Sequence, residues 1–278
     1  VKVVLAEHAG ACYGVQRALD MAGEVLRTDG ASNTLGPLIH NPQVVANLEK
    51  HGLRVAESVD DVSADTVIIR SHGVTPQVRR QLEDINVRVV DATCPHVLRA
   101  QKAAEQLAHD GCRLLIVGEP GHPEVSAIRE CARIAGAKVD VVLSPDDIPD
   151  NLYAPVGVVI QTTQRREVLD EIVSALQKRN IEPIVRNTIC SATSERQLAA
   201  ARLAEDMDAM VVIGGKNSSN TTRLAEICRT ICPRTFHIES DEELSPEMFS
   251  GCKSVGVTAG ASTPSYQISQ VVQMLDAL

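Results

Sequence analysis

Three cysteines stand where reactive chemistry is available: Cys12 in AEHAGACYGV, Cys94 in VDATCP and Cys190 in TICSAT. Each follows a strand-like run (Val3-Val4-Leu5, Val87 to Val90, Ile184-Val185) and precedes a helical pattern, and the three are spaced at nearly equal intervals. At a strand's carboxyl end and a helix's amino end, unpaired N–H groups and the helix dipole stabilise a thiolate, the form that binds metal or acts as a nucleophile. The other five of the eight cysteines (Cys112, Cys131, Cys228, Cys232 and Cys252) fall in apolar helix or strand patterns, where a thiol serves as a small hydrophobe. Cys228 and Cys232 share a helix face, but no His or carboxylate cluster adjoins them. No C-x-x-C occurs, so neither a zinc ribbon nor a thioredoxin-like site has support.

Three dispersed thiols are open to three readings: core packing, a structural zinc completed by a His, or an iron–sulfur cluster. Structural zinc takes four tetrahedral ligands, often as closely spaced pairs, and the sequence offers neither pairs nor an evident fourth thiolate. Three thiolates more naturally hold a cubane cluster whose fourth iron is open to substrate. Residue types alone do not decide.

Further polar residues collect at similar junctions. They are His40 in GPLIHNP, His72 in RSHGVTP, His122 and Glu124 in GEPGHPE, Thr162 in QTT, Ser218, Ser219 and Asn220 in GGKNSSN, and Ser262 in TAGASTP. GGKNSSN presents neutral donors ahead of a helix, as a phosphate loop does, although it is not a Walker A motif. It also reads as an ordinary turn with Asn220 as a helix cap, and Ser262 or Thr263 as a cap of the last helix. Each histidine, taken singly, is equally a structural residue; three in equivalent places beside two donor loops fit an anionic ligand. Glu124 reads as an acid or as a carboxylate favourably placed on a helix dipole. To donate a proton it needs burial or nearby negative charge to offset that dipole.

The elements that must position these residues alternate from one end to the other. Strand-like runs at Thr66–Ile69, Arg113–Val117, Val156–Ile160, Met210–Ile213 and Ser254–Val257 are each followed by a polar loop and an amphipathic helix. This is an α/β pattern with mostly parallel strands. The cysteine spacing divides it into three related α/β modules, 1–95, 96–190 and 191–278, with the terminal segments free to pack across modules. The expected modules carry, in order, Cys12, His40, His72 and Cys94; His122, Glu124, Thr162 and Cys190; and Ser218, Ser219, Asn220 and Ser262. Ligands of open parallel sheets bind beyond the strands' carboxyl ends, so modules that aim those ends at one centre build one site.

Composition narrows the function. The chain has 44% hydrophobic residues, enough for a sizeable core, a formal net charge of −9, 2% aromatic residues and no Trp. The basic stripe and stacking rings of a nucleic-acid binder are missing, so no nucleic-acid partner is expected. No apolar run approaches the ~20 residues that span a bilayer, and no export signal is evident, so no membrane partner and a cytoplasmic location are expected.

Nine motifs together are specific. AEHAGACYGV, LGPLIHNP, IIRSHGV, VDATCP, GHPEV, QTTQ, TICSAT, GGKNSSN and VTAGAS, in this order and across nearly the whole chain, resemble the 4-hydroxy-3-methylbut-2-enyl diphosphate reductase family, also called LytB or IspH. The resemblance implies a three-module trefoil around a 4Fe-4S cluster with three ligands, Cys12, Cys94 and Cys190, and one open iron. It implies reductive removal of an allylic hydroxyl as water, giving isopentenyl and dimethylallyl diphosphate, at the last step of the non-mevalonate isoprenoid pathway. Glu124 would then deliver protons, Thr162 would orient the hydroxyl and relay a proton, and His122 would assist. His40, His72, His122, Ser218, Ser219, Asn220 and Ser262 would form the diphosphate pocket, and ferredoxin or flavodoxin would supply electrons. Ala11 stands where many members have Phe, and Tyr13 is variable among them, so packing beside the first ligand is expected to differ. An iron–sulfur redox sensor that binds a phosphorylated metabolite would use the same residues. A zinc hydrolase is a third class.

Overall fold

Runs such as Leu114–Val117 and Val156–Ile160 are apolar at every position, the pattern of strands covered on both faces in a parallel sheet. The computed structural model, which describes residues 1–277, bears this out. Its strands are β1 (Lys2–Leu5), β2 (Ser32–Leu35), β3 (Leu53–Ala56), β4 (Thr66–Ile69), β5 (Arg88–Asp91), β6 (Arg113–Val117), β7 (Val139–Val142), β8 (Val156–Ile160), β9 (Ile184–Arg186), β10 (Ala209–Ile213), β11 (Thr235–Ile238) and β12 (Ser254–Ala259). The helices are α1 (Tyr13–Thr28), α2 (Pro42–Lys50), α3 (Pro76–Asp84), α4 (Pro95–His109), α5 (Pro123–Ile134), α6 (Arg166–Lys178), α7 (Ser191–Glu205), α8 (Ser219–Ile231) and α9 (Ser265–Asp276).

The strands form three parallel four-stranded sheets, ordered β3-β2-β4-β5, β7-β6-β8-β9 and β11-β10-β12-β1. All three share one plan. The first strand of each lies between the second and the third, and the fourth lies outside the third. In the last sheet the fourth place is taken by β1, which pairs with β12 in the register Val3 to Val255. The opening strand of the chain thus belongs with the strands of its last third.

A second repeat follows the second strand of each sheet. Ser58, Ser144 and Ser240 open short 3-10 turns, and each donates its N–H to a carboxylate three residues on: Asp61 (3.0 Å), Asp147 (2.8 Å) and Glu243 (3.3 Å). This reciprocal cap satisfies donors that the turn itself leaves unpaired.

By contact the chain divides into two compact units. One comprises Val1–Gln16, Ile39–Ala46 and the chain from Ser191 on; the other comprises Arg17–Leu38 and Asn47–Cys190. The first holds the β11-β10-β12-β1 sheet and the second holds both others. In the second unit, Leu115, Val158 and Ile160 pack on Leu169, Ile172 and Leu176 of α6, while Leu114, Ile116 and Val159 face Ala104, Leu107 and Ile128 of α4 and α5. Both faces of that sheet are covered. Among the described residues no helix is long and apolar enough to cross a membrane.

In each sheet the loops after the first and third strands leave in opposite directions, which opens a crevice at the strands' carboxyl ends. These loops begin at residues 36, 118 and 214 and at residues 70, 161 and 260. The cysteines of interest follow the fourth strands, β1, β5 and β9, and each immediately precedes a helix.

One central strand is polar. β2 reads Ser-Asn-Thr-Leu and is buried throughout, because Asn33 replaces solvent with specific bonds. Its Oδ1 accepts from the N–H groups of Ser63 (2.9 Å) and Ala64 (2.8 Å), and its Nδ2 donates to Arg54 O at 3.3 Å. Asn33→Leu keeps the branched shape and strands both N–H groups, so it is expected to cost about 2–4 kcal/mol in urea unfolding. A loss below about 0.5 kcal/mol would show that water replaces the amide.

Candidate functional site

In the second unit, Pro123 occupies the first position of α5 and places Glu124 in the first helical turn. The Glu124 side chain is 1% exposed. Thr162, two residues past β8, holds the carboxylate with two donors, its N–H to Oε1 (2.6 Å) and its Oγ1 to Oε2 (2.8 Å). Burial is the largest influence on the carboxyl group and raises its pKa from 4.5 to about 7; Glu119 adds to the rise and the two Thr162 bonds oppose it. This is the offset an acid needs at the positive end of a helix.

His122 caps α5, its Nδ1 accepting the Glu124 N–H at 3.2 Å. An accepting Nδ1 carries no hydrogen, so the ring presents Nε2 as its donor in the neutral form. The rings of His122 and His72 meet edge to face with centroids 5.5 Å apart. Three expected residues, Glu124, Thr162 and His122, are thus joined directly, with His72 beside them.

Two of the candidate ligands belong to the same unit. Cys94 is the cap residue of α4, and its side chain makes no cap bond to that helix. Its N–H donates to Ser71 O (2.9 Å), and the Cys190 N–H donates to Thr162 O (3.0 Å). Arg17 of α1 bonds the carbonyls of Thr93 (3.2 Å) and Asp91 (3.4 Å), which fixes the loop that carries Cys94. In the first unit the Cys12 N–H donates to Ala261 O at 3.1 Å. All three cysteines therefore hang from the second residue after the third strand of their own sheet.

The first unit also carries the donor loops. Ser218, not Asn220, caps α8, its hydroxyl accepting from Thr221 N at 3.4 Å. Asn220 lies inside the first turn, 4% exposed, and neither atom of its amide has a hydrogen-bond partner among the described residues. Ser262 and Thr263 do not cap α9, which begins after Pro264. Ser262 Oγ donates instead to His40 O (2.9 Å), and Asn41 Nδ2 donates to Ser262 O (2.9 Å) while its Oδ1 caps α2. A Cβ at Gly215 would stand 2.8 Å from His40 O, so the loop requires glycine there. His40 and Ser262 are brought together, and Ser218, Ser219 and Asn220 share one helix amino end. The buried, unpaired Nδ2 donor at that end is a group that an anion's oxygens would complete.

Four of the remaining cysteines are of another kind. Burial pushes Cys131 up to about 11 and Cys228 up to about 12, and it raises Cys112 and Cys232 as well. Such thiols neither ligate nor attack at neutral pH. Cys12, Cys94 and Cys190 are half-buried and stand ahead of helices, so the donor set fits a group that takes three thiolates. Reading the sequence missed Arg17 and Asn33, which hold carbonyls and N–H groups rather than substrate; Asn41, before Pro42, reads from sequence as the cap of α2, and the structure adds its bond to the Ser262 carbonyl.

The pH dependence of stability follows from Glu124. Below pH 4.5 the carboxyl is protonated in both folded and unfolded chains. Between 4.5 and about 7 the folded chain keeps a proton that the unfolded chain has released, so stability falls as pH rises through that window and the full cost stands above it. Between about pH 5 and 8 the parent should lose roughly 2–3 kcal/mol more than Glu124→Gln in urea unfolding. Equal losses would place the carboxyl near its ordinary value.

Comparison with known proteins agrees with this architecture. The family model described as LytB protein matches residues 3–276. The 4-hydroxy-3-methylbut-2-enyl diphosphate reductase of Geobacter sulfurreducens is 47% identical over 99% of this chain and 97% of its own, and that of Aquifex aeolicus is 45% identical over 98% and 94%. Among solved structures, an (E)-4-hydroxy-3-methyl-but-2-enyl diphosphate reductase, described as the terminal enzyme of the non-mevalonate pathway, matches with 42% identity over all of both chains and a TM-score of 0.72. The E-1-hydroxy-2-methyl-but-2-enyl-4-diphosphate reductase of Plasmodium falciparum matches with a TM-score of 0.89 and 26% identity over 99% of this chain and 87% of its own. Matched from near its first residue to near its last, the chain belongs to the LytB protein family.

Proposed function

We propose that the chain is a 4-hydroxy-3-methylbut-2-enyl diphosphate reductase, an oxidoreductase that removes an allylic hydroxyl from a small diphosphate. The observation that carries this reading is Glu124, a buried carboxyl poised near neutrality and bonded to the residue that also holds Cys190. The reaction consumes two electrons and two protons, breaks the carbon–oxygen bond and yields water with isopentenyl or dimethylallyl diphosphate. Cys12, Cys94 and Cys190 would hold a 4Fe-4S cluster with one open iron, which supplies the electrons at the substrate. A ferredoxin or flavodoxin would reload it, and a reducing cytoplasm suits its thiolate ligands.

The chain's own residues account for the proton path. When Glu124 carries its proton on Oε2, that proton is donated to Thr162 Oγ1, and the threonine's hydrogen is then turned outward. Passing one proton along this pair delivers it to the leaving hydroxyl and leaves Glu124 to be recharged from solvent. A group whose pKa is near 7 both holds and releases a proton at working pH. His122, whose Nδ1 accepts the Glu124 N–H, would offer its Nε2–H beside the acid. His40, His72, Ser218, Ser219, Asn220 and Ser262 would take the diphosphate oxygens, an assignment that suits an acidic chain because it relies on neutral donors and a helix amino end.

Substitution separates the roles. Cys12→Ser, Cys94→Ser and Cys190→Ser should each lower iron and sulfide content after anaerobic preparation, and Cys131→Ser and Cys228→Ser should not. Equal loss in all five would contradict the ligand assignment. Glu124→Gln should keep the cluster and the affinity for substrate yet lose about 10²–10⁴-fold in turnover, with a smaller loss for Thr162→Val. Near-normal turnover of Glu124→Gln with a chemical reductant and with a protein donor would remove the acid from the mechanism.

A further inference from the structure

Arg70 has no part in that reaction, yet it occupies a telling position. It directly follows β4, as Gln161 directly follows β8, so the two are equivalent in their sheets. Each faces the glycine that follows its sheet's first strand. A Cβ at Gly118 would come within 2.9 Å of Gln161 Oε1, and a Cβ at Gly36 would collide with the Arg70 guanidinium. Gln161 is fully used there, its Oε1 accepting from Glu119 N (2.9 Å) and its Nε2 donating to Thr163 Oγ1 (3.2 Å). Arg70 is not. Its Nε is shut off from solvent without a hydrogen-bond partner, and its guanidinium makes no hydrogen bond or ion pair among the described residues. Burial lowers its pKa, and the exposed Glu57 offers only a longer-range attraction. The residue is half-buried, and a guanidinium N–H shut off from solvent without an acceptor is uncommon in a native fold and calls for an explanation.

The guanidinium lines a cleft of about 400 Å³ at the carboxyl ends of β2, β3 and β4. Leu35, Val59, Val74 and Val78 give it apolar walls, and Ser58 and Ser126 add hydroxyls. The cleft sits where the loops of the sheet's first and third strands part, the usual ligand position in such sheets, and its volume is that of a small-molecule site. We propose that this cleft binds a small organic oxyanion, a phosphate monoester or a carboxylate on a short branched apolar body, with the head on Arg70 and the body against the valines. The planar fork of a guanidinium matches both heads. Glu57 at the rim repels highly charged ligands, so a polyphosphate is disfavoured. Gly73, Pro123 and Ser126 also border the cleft, so a bound ligand would touch the loop that carries His72 and the first turn of α5, which carries Glu124.

The test uses the full, cluster-loaded chain under anaerobic conditions, titrated calorimetrically with 3-methylbutyl phosphate, with 4-methylpentanoate and with inorganic phosphate. One of the two organic anions should bind, more tightly than inorganic phosphate, and the tighter one identifies the head. Arg70→Gln should weaken that binding about 10–100-fold, and Asn220→Ala, at the proposed diphosphate loop, should leave it unchanged. No binding by either organic anion, binding indifferent to Arg70→Gln, or binding removed by Asn220→Ala would each overturn the proposal. Because the guanidinium makes no bond in the ligand-free chain, Arg70→Gln should melt at or above the parent temperature. A variant that fails to fold would make Arg70 a structural residue and would also overturn the proposal.

Discussion

Thr162 is the residue on which the rest of the site depends. Its N–H and hydroxyl hold the two oxygens of Glu124, at 2.6 and 2.8 Å, and its carbonyl accepts the N–H of Cys190 at 3.0 Å. One residue therefore fixes both an acid and a thiol, and does so at the end of a buried strand whose own position is set by packing on both faces. The carboxyl can be buried because those two donors receive it; without them, burial would expel it or force a larger rearrangement. The same two bonds keep its pKa from rising further, so that near pH 7 the proton is held but not locked.

The three sheets share this construction and differ in what they hang on it. Each places a cysteine after its fourth strand and ties that cysteine's N–H to the second residue after the third strand: Ala261, Ser71 or Thr162. The backbone repeat yields three equivalent thiols, and the side chains at the anchoring position divide the labour. Thr162 reaches an acid. Ser71 turns its hydroxyl to Leu38 O at 3.1 Å and secures the loop ahead of His40. Ala261 has no polar side chain, and there the neighbouring Ser262 bonds His40 O.

Much of this was legible in the sequence because it is local. Apolar runs such as Arg113–Val117 and Val156–Ile160 coincide with β6 and β8, and Pro after Cys94 and before Glu124 marked the starts of α4 and α5. The junction cysteines and the acid were found the same way. What escaped depends on distant residues. β2 looks like a turn, since Ser-Asn-Thr becomes a central strand only when Asn33 finds partners at residues 54, 63 and 64. The pairing of β1 with β12 spans the whole chain and has no local signature. Ser218 rather than Asn220 takes the cap of α8, and Gly215 in the same loop lies against the His40 carbonyl, a contact between segments far apart in sequence. The serine-carboxylate repeat after each second strand was visible as S-x-x-D or S-x-x-E, but its polar, short form resembles any surface turn.

The account stands on a carboxyl that keeps its proton to near neutrality inside the fold. Infrared difference spectroscopy of the cluster-loaded chain across the pH range, with the protonated-carboxyl band assigned by its absence in Glu124→Gln, measures this directly. The band should disappear with a midpoint of about 7. A Glu124 already ionised by about pH 5, near the ordinary range for a glutamate, would contradict the account.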